Sequence, residues 1–483
     1  MHHHYNAIVV GAGSGGIGAA LAAARAGLDV LLVEAAPTIG GTAVRAGVSI
    51  WEMGVGGTGL PFEIYRHLRV QPGAVGIYTI GRHCLWPGPD EPAPYPGGEL
   101  RLDPSLRYVH TLRRHGARSM RDDQHFVRAH WHGVVFEPAA YARVVHRLLT
   151  ESRHCTIRCG TTLTAVHTDA GHVQSLTLSD GSTVTAGAYV DATGDVALAR
   201  ACGAATHLGQ EARAAFDEPG APPEPMPYLN GATLIYRVTP SPHRTVDPLP
   251  RDMPVSCWWH DSFPAASIAQ MPRGGLLVNM LPTLAGREAL DLGPRAAYGE
   301  ARRRVLAHWH HLQTRYPEFL DYHLDWIAPA LGIRESWRIA GEATLTEHDL
   351  LSGLSGQTHP DVIALSDHAL DTHGKPPADA GRGELREPYG IPYRCLIPQG
   401  FRNLLVACRG AGFSALAASS CRLSRTMMQL GQAAGTAIAL AHARGIDLPD
   451  VPAGALRDHL WAQHVQLEHP MPAELMRFLE RES

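Results

Sequence analysis

The stretch Gly11-Ala12-Gly13-Ser14-Gly15-Gly16 constrains this chain more than any other. Tyr5 to Val10 before it is a short apolar run with strand character, and Ile17, Ala20, Leu21 and Ala24 after it recur at helical spacing. Gly27 breaks that helix, and Val30 to Val33 reads as a second buried strand ending at Glu34. A strand–loop–helix–strand unit of this kind binds the ADP half of a dinucleotide. Gly11 permits the tight turn out of the strand, Gly13 lets the backbone approach a pyrophosphate, and Gly16 lets helix and sheet pack closely. Ser14 and Gly15 open the helix, whose free N–H groups and positive dipole end face the phosphates. The Glu34 carboxylate would accept hydrogen bonds from ribose hydroxyls and repel a 2′-phosphate, which favours FAD or NAD over NADP. A chance glycine turn is the competing reading; the two flanking strands, the small Ala20 and Ala24 and the acidic end argue against it.

The chain has 483 residues, enough for two or three domains, and a formal net charge of −4 with no long charge runs. Nothing in that balance points to nucleic acid or an anionic membrane surface, and no apolar run reaches membrane-spanning length. The first strand begins near Tyr5, which leaves no room for a cleaved leader and makes a cytoplasmic location the expectation. His2 to His4 carry no weight in the site argument. The 8 cysteines form no C-x-x-C, which argues against a dithiol reductase and a zinc ribbon, and they read as small buried apolar residues. Histidine is abundant, at 29, but the Ala307-His308-Trp309-His310-His311 cluster lacks carboxylate or cysteine company and reads as a surface helix rather than a metal site. No metal is expected.

Pro61 opens a helix through Leu68, residues 83–106 read as an irregular excursion, and Phe136-Glu137-Pro138 leads into a helix from Ala139 to Leu149. Three short β signals follow at Thr156–Arg158, Leu163–His167 and Val173–Leu178, the last turned by Asp180-Gly181 into Val184. Residues 211–227, with five prolines, read as a boundary linker. Asn403 to Ala407 is a final buried strand, and Arg425 to Arg444 a glycine-punctuated helix. The fold class is therefore α/β: a discontinuous Rossmann-type domain over 1–80, 130–210 and 386–450, an inserted α+β substrate domain over 211–385, and a helical extension over 451–483.

The run from Ile8 to Glu34, followed by Gly40-Gly41, resembles the FAD-binding fold of glutathione-reductase-type flavoproteins. Asp191-Ala192-Thr193-Gly194-Asp195 is similar to their second fingerprint, and Asn403 to Arg409 with Leu430 to Gly435 resembles the stretch that covers the flavin. Trp51 to Gly59, Asn279 to Thr283, Gly332 to Ser336 with Arg338, and Ile391 to Arg394 look like a large bacterial group, the FAD-dependent oxidoreductases. The resemblance implies FAD contacts at Gly41, Thr42, Leu163, Thr193, Gly194, Arg409, Arg422 and Leu423, beside Gly11, Gly13, Ser14, Gly15, Gly16 and Glu34. Small-residue loops at 40–42, 192–194 and 431–435 also suit a long cofactor contacted along its length. Some relatives attach FAD through a histidine just after the glycine pair; residues 42–50 contain none, so FAD is expected to be non-covalent.

Hydride removal from an alcohol or amine needs a base for the heteroatom proton. His368 and His373, in Asp367-His368-Ala369-Leu370-Asp371-Thr372-His373, are the candidates, because an Asp-x-His spacing can orient an imidazole. Arg334 is a candidate anchor for substrate or flavin; the bland reading of Arg334 and Glu335 is a structural ion pair with Arg338 or Glu342. The expected activity is oxidation of a small organic substrate at a C–H bond, with O2 or another acceptor taking the electrons. The rivals are a flavin monooxygenase, a protein using FAD without redox chemistry, and an NAD-binding protein; a homo-oligomer stays open.

Overall fold

The computed structural model describes residues 3–81, 95–120, 122–251, 253, 266–373 and 384–483. Two sheets dominate it. The first has seven strands in the order Cys155–Cys159, Val30–Glu34, His3–Val10, Thr183–Asp191, His172–Leu178 and Leu163–Asp169, with Leu404–Val406 also paired to Thr183–Asp191. Cys155–Cys159, Val30–Glu34, His3–Val10, Thr183–Asp191 and Leu404–Val406 run parallel. The hydrophobic residues Ala7 to Val10, Val30 to Val33, Ala188 to Val190 and Leu404 to Val406 are buried, as both faces of a parallel sheet require, while the edge strand Cys155–Cys159 is only partly covered. The register pairs Val10 with Val33 and with Asp191, and Asp191 with Val406. Four strand ends, from three distant parts of the chain, therefore open at one edge, where α/β sheets bind ligands.

Helix Ser14–Arg25 packs against the long helix Ser424–Arg444 through glycines. A Cβ at Gly431 would lie 1.9 Å from the Gly15 carbonyl oxygen, and one at Gly15 would lie 1.7 Å from that of Ala407. Only bare backbone fits, and the closeness sets both helix starts beside the same sheet edge.

The second sheet has eight strands in the order Tyr322–Ile327, Tyr236–Pro240, Leu276–Met280, Ala266–Gln270, Gly97–Leu102, Val75–Ile80, His132–Phe136 and Ile50–Trp51. The pairs are antiparallel except Ala266–Gln270 with Gly97–Leu102. The pairing corrects the expected grouping: the strands of 50–80 and 132–136 join those of 236–327 rather than the nucleotide sheet, and Gly97–Leu102 is a strand inside the supposed excursion. Each strand alone is short and ambiguous; those of 50–80 pair with His132–Phe136 across the excursion, and Gly97–Leu102 pairs with Ala266–Gln270 more than a hundred residues on, beyond any local pattern.

The supposed linker is also packed structure. It forms a turn of helix at Arg213–Phe216 and buries Glu218. The helix that carries residues 307–311 spans Gly286–Arg315 with a break at Gly293, before Pro294. Its histidine cluster is not on the surface: His308 is 1% exposed and Trp309 2%. His308 Nδ1 meets the Tyr236 hydroxyl at 2.7 Å, and burial pushes the imidazole down to about 3. Among the cysteines, Cys395, Cys408 and Cys421 are buried as expected but Cys159 is exposed; Cys84 and Cys257 lie outside the described residues. Among the described residues no helix is long and apolar enough to cross a membrane.

Candidate functional site

A cavity of about 560 Å³ runs from the open edge of the first sheet to the face of the second. Gly11, Gly13, Ser14, Gly15 and Glu34 line its first end. Gly11 takes φ 98°, a conformation that favours glycine, and a Cβ there would lie 2.5 Å from the Ala192 carbonyl oxygen. Gly16 does not reach the cavity wall; a Cβ there would lie 1.8 Å from the Gly11 carbonyl oxygen, so its bareness serves packing. Gly13 is the exception, since an added Cβ would meet nothing within 4 Å. It faces the cavity at the start of helix Ser14–Arg25, which no side chain caps. The Ala12 and Ala36 amides donate to the two Glu34 carboxylate oxygens at 2.7 and 2.8 Å. That fixes the carboxylate at the strand end and leaves it further lone pairs.

Leu163, Thr193, Gly194 and Arg409 continue the wall. Asp191, fully buried, accepts from the Thr193 amide and hydroxyl and from the Ala199 amide, which shapes the turn. Arg409 pairs with Asp195 at 3.1 Å, while its buried Nε has no partner among the described residues. An uncapped helix start, a bare backbone position facing open space, a fixed carboxylate and a partly unpartnered arginine fit an elongated nucleotide bearing phosphates.

Gly41 and Thr42 also line the cavity, Gly41 close against Gly13, where a Cβ would lie 2.7 Å from the Gly13 Cα; the far end of the wall holds Arg422, Leu423, Arg334 and His373. Asp371 organises it. Its carboxylate takes His373 Nε2 at 2.7 Å on one oxygen and Arg422 Nη2 at 2.7 Å on the other. Burial would raise the Asp371 carboxyl, but His373 and Arg422 hold it well below the usual carboxylate range. Burial lowers the His373 imidazole, and its Asp371 partner only partly offsets that. Nδ1 of His373 has no partner among the described residues.

Glu52 also lines this end and was not read from the sequence as a functional carboxylate. It holds His368 Nε2 at 2.8 Å and Arg114 Nη1 at 3.1 Å. Burial would raise its carboxyl, but His368 and Arg114 bring it down to about 2. The available signal was a lone charge among Trp51, Met53 and Gly54. His368 itself is off the cavity wall, with Nδ1 on the Ala369 carbonyl at 2.8 Å. Both ring nitrogens are engaged, so it has no free lone pair for a substrate proton.

The charged run at 334–338 divides. Glu335 is a buried ion pair with Arg338 at 2.7 Å, as the bland reading had it. Arg334 instead donates Nη1 to the Gly231 carbonyl at 2.8 Å and the Thr233 hydroxyl at 2.5 Å. Arg425, near the start of the long helix, is buried and donates to Thr111 Oγ1 at 3.1 Å, to the Thr111 and Gly54 carbonyls at 3.0 and 3.3 Å and to the Glu52 carbonyl. Its neighbour Arg422 was the arginine expected from sequence; nothing local separates the two, since both flank one helix start.

A family model described as FAD dependent oxidoreductase matches residues 6–88 and 104–460 of the chain. No curated protein matches it. Among solved structures it is similar to a geranylgeranyl bacteriochlorophyll reductase-like protein from Thermoplasma acidophilum, at 12% identity over 99% of this chain and 96% of the other, with a TM-score of 0.45. It is also similar to a flavin-dependent brominase, at 12% identity over 95% and 83% with a TM-score of 0.46. A myxobacterial chondrochloren halogenase gives 11% identity over 99% and 82% with a TM-score of 0.44.

Proposed function

The chain belongs to the FAD dependent oxidoreductase family and is an enzyme with FAD as its cofactor; from that premise we propose that it oxidises a small organic substrate at a C–H bond next to a hydroxyl or amine, with His373 as the base. When bound, FAD supplies the hydride acceptor. Glu34 holds its ribose, and Gly13, Ser14 and Gly15 receive its pyrophosphate at the helix start. Leu163, Thr193, Gly194 and Arg409 line the adjoining part, while Gly41, Thr42, Arg422 and Leu423 border the ring system. The attachment is non-covalent, since residues 42–50 carry no histidine.

One observation carries the base assignment: His373 Nε2 is bound to Asp371 at 2.7 Å, while Nδ1 is free of partners among the described residues on a residue of the cavity wall. With Nε2 donating to the carboxylate, the neutral ring keeps its lone pair on Nδ1. The lowered pKa keeps the ring neutral near pH 7. As the C–H bond breaks and its electron pair leaves with the hydride, Nδ1 takes the proton from the substrate oxygen or nitrogen and a C=O or C=N bond forms. Asp371 stabilises the resulting imidazolium. His368, closed off behind Glu52, positions that carboxylate rather than reacting. The electrons pass on to O2 or another acceptor.

Anaerobic mixing with alcohols, amines and hydroxy acids, followed by flavin absorbance, tests the reading. A substrate should bleach the flavin, and His373→Gln should slow bleaching by about 10²–10⁴-fold with FAD content unchanged. Bleaching at the wild-type rate in that variant would remove His373 from the role. Reduction by NADPH with no substrate present would replace the dehydrogenase reading with a monooxygenase.

A further inference from the structure

We propose that the substrate carries a carboxylate close to the carbon it loses hydride from, and that the free edge of the Arg334 guanidinium binds it. The proposal rests on the cavity being a flavin and substrate site, and narrows the substrate to hydroxy or amino acids.

Arg334 differs from every other arginine on the cavity wall. Arg409 is paired with Asp195 and Arg422 with Asp371. Arg425 spends its terminal nitrogens on carbonyl and hydroxyl oxygens. Arg334 uses Nη1 alone, on Gly231 and Thr233, and its Nη2 and Nε have no partner among the described residues. No carboxylate among them contacts it. The two nearby acids are committed elsewhere, Asp371 to His373 and Arg422, and Glu52 to His368 and Arg114. A partly buried cation without a counter-ion is costly, and an anion entering the cavity relieves that cost. Burial and the nearby Arg422 pull the guanidinium down to about 10, which is the same strain seen from the proton's side. The two free nitrogens also form the side of the guanidinium fork that a carboxylate meets with two parallel hydrogen bonds.

The placement of this edge selects the substrate. Gly231 receives Arg334 on its carbonyl at 2.8 Å and donates its amide to the His373 carbonyl at 2.8 Å. One glycine thus separates the anion-binding group from the proposed base. An acid gripped at Arg334 has its adjacent carbon, and the hydroxyl or amine on it, within reach of His373.

The test is equilibrium binding to the oxidised holoenzyme, read by flavin absorbance, with formate, acetate and benzoate against formamide, acetamide and benzamide. The acids should perturb the spectrum saturably and the amides should not. Arg334→Gln should raise the benzoate dissociation constant by about 30-fold or more with FAD content unchanged, and Arg334→Lys, which keeps the charge but not the fork, should fall between. Amides binding as tightly as acids, no acid binding at all, or unchanged benzoate affinity in both variants would overturn the proposal. Loss of FAD from both variants would overturn it too, by giving Arg334 to the cofactor. The outcome is separable from that for the base: a His373→Gln enzyme that binds benzoate normally but is reduced at the wild-type rate would strike the base and leave the carboxylate site standing.

Discussion

The two ends of the cavity are built in opposite ways. At the nucleotide end the working groups are backbone: bare glycines, an uncapped helix start and one carboxylate clamped by two amides. They come from a single run of thirty-four residues plus short returns at 193 and 409. At the charged end the working groups are side chains from distant segments, Glu52, Arg334, His373 and Arg422; Glu52, Arg334 and Arg422 are held by bonds to other segments, and His373 by Asp371 two residues before it. Backbone recognition needs a shape that a local motif can make. Side-chain chemistry needs groups brought together by strand pairing and helix packing.

The comparison breaks most visibly at two glycines of one loop. Gly15→Val would drive a side chain into the Ala407 carbonyl, 1.7 Å from its Cβ, and should destabilise the fold by about 4 kcal/mol or more. Gly13→Val adds its side chain to open space and should leave the apoprotein's melting temperature near wild type while abolishing flavin retention. Thermal unfolding of the two apoproteins, with flavin content, checks the contrast; a Gly13→Val protein that stays yellow would contradict it.

A second test addresses a buried carboxylate that lies off the cavity wall. Glu218 is buried beside the start of helix Ala415–Cys421, accepting from the Glu347 amide at 2.7 Å and from the Ser414 hydroxyl. Glu211 lies near it and is itself paired with Arg338 at 2.6 Å. Burial, with Glu211 adding to it, raises the Glu218 carboxyl from 4.5 to about 7. The folded state therefore holds this proton more tightly than the unfolded chain. Its contribution is full below pH 4.5 and is lost as pH rises through about 7, a change of at most about 3 kcal/mol. Glu218→Gln, which keeps the acceptor oxygen, should flatten that part of the stability profile, gaining on wild type between pH 5 and 8; parallel profiles would show that Glu218 is ionised throughout.

The smallest effect concerns Glu34. Glu34→Ala should weaken FAD retention by about 1–3 kcal/mol, the scale of hydrogen bonds to a charged group, read as flavin released on dilution. Unchanged retention would remove the carboxylate from ribose binding.

The nucleotide element was legible because its information is local. Strand, glycine turn, helix and acidic strand end follow one another in sequence, and each glycine answers a contact a few residues away or a fixed helix crossing. The Asp371–His373 pair was legible for the same reason, being two residues apart. Glu52, Arg425 and the split between Arg334 and Glu335 were not. Their meaning depends on which side chain stands opposite, and those partners lie at residues 368, 111, 231 and 338, three of them in segments that no local pattern joins to them.

Residues 5–34 alone are enough to specify a strand, a glycine turn, an uncapped helix start and a carboxylate at the next strand end, because steric limits on backbone and helix-end polarity act over a few residues. Which strands make the second sheet, and which charges inside the cavity lack a counter-ion, follow from long-range packing. Pairing across hundreds of residues is selected by burial of whole faces, and a buried charge gains or loses its counter-ion only once that burial is complete.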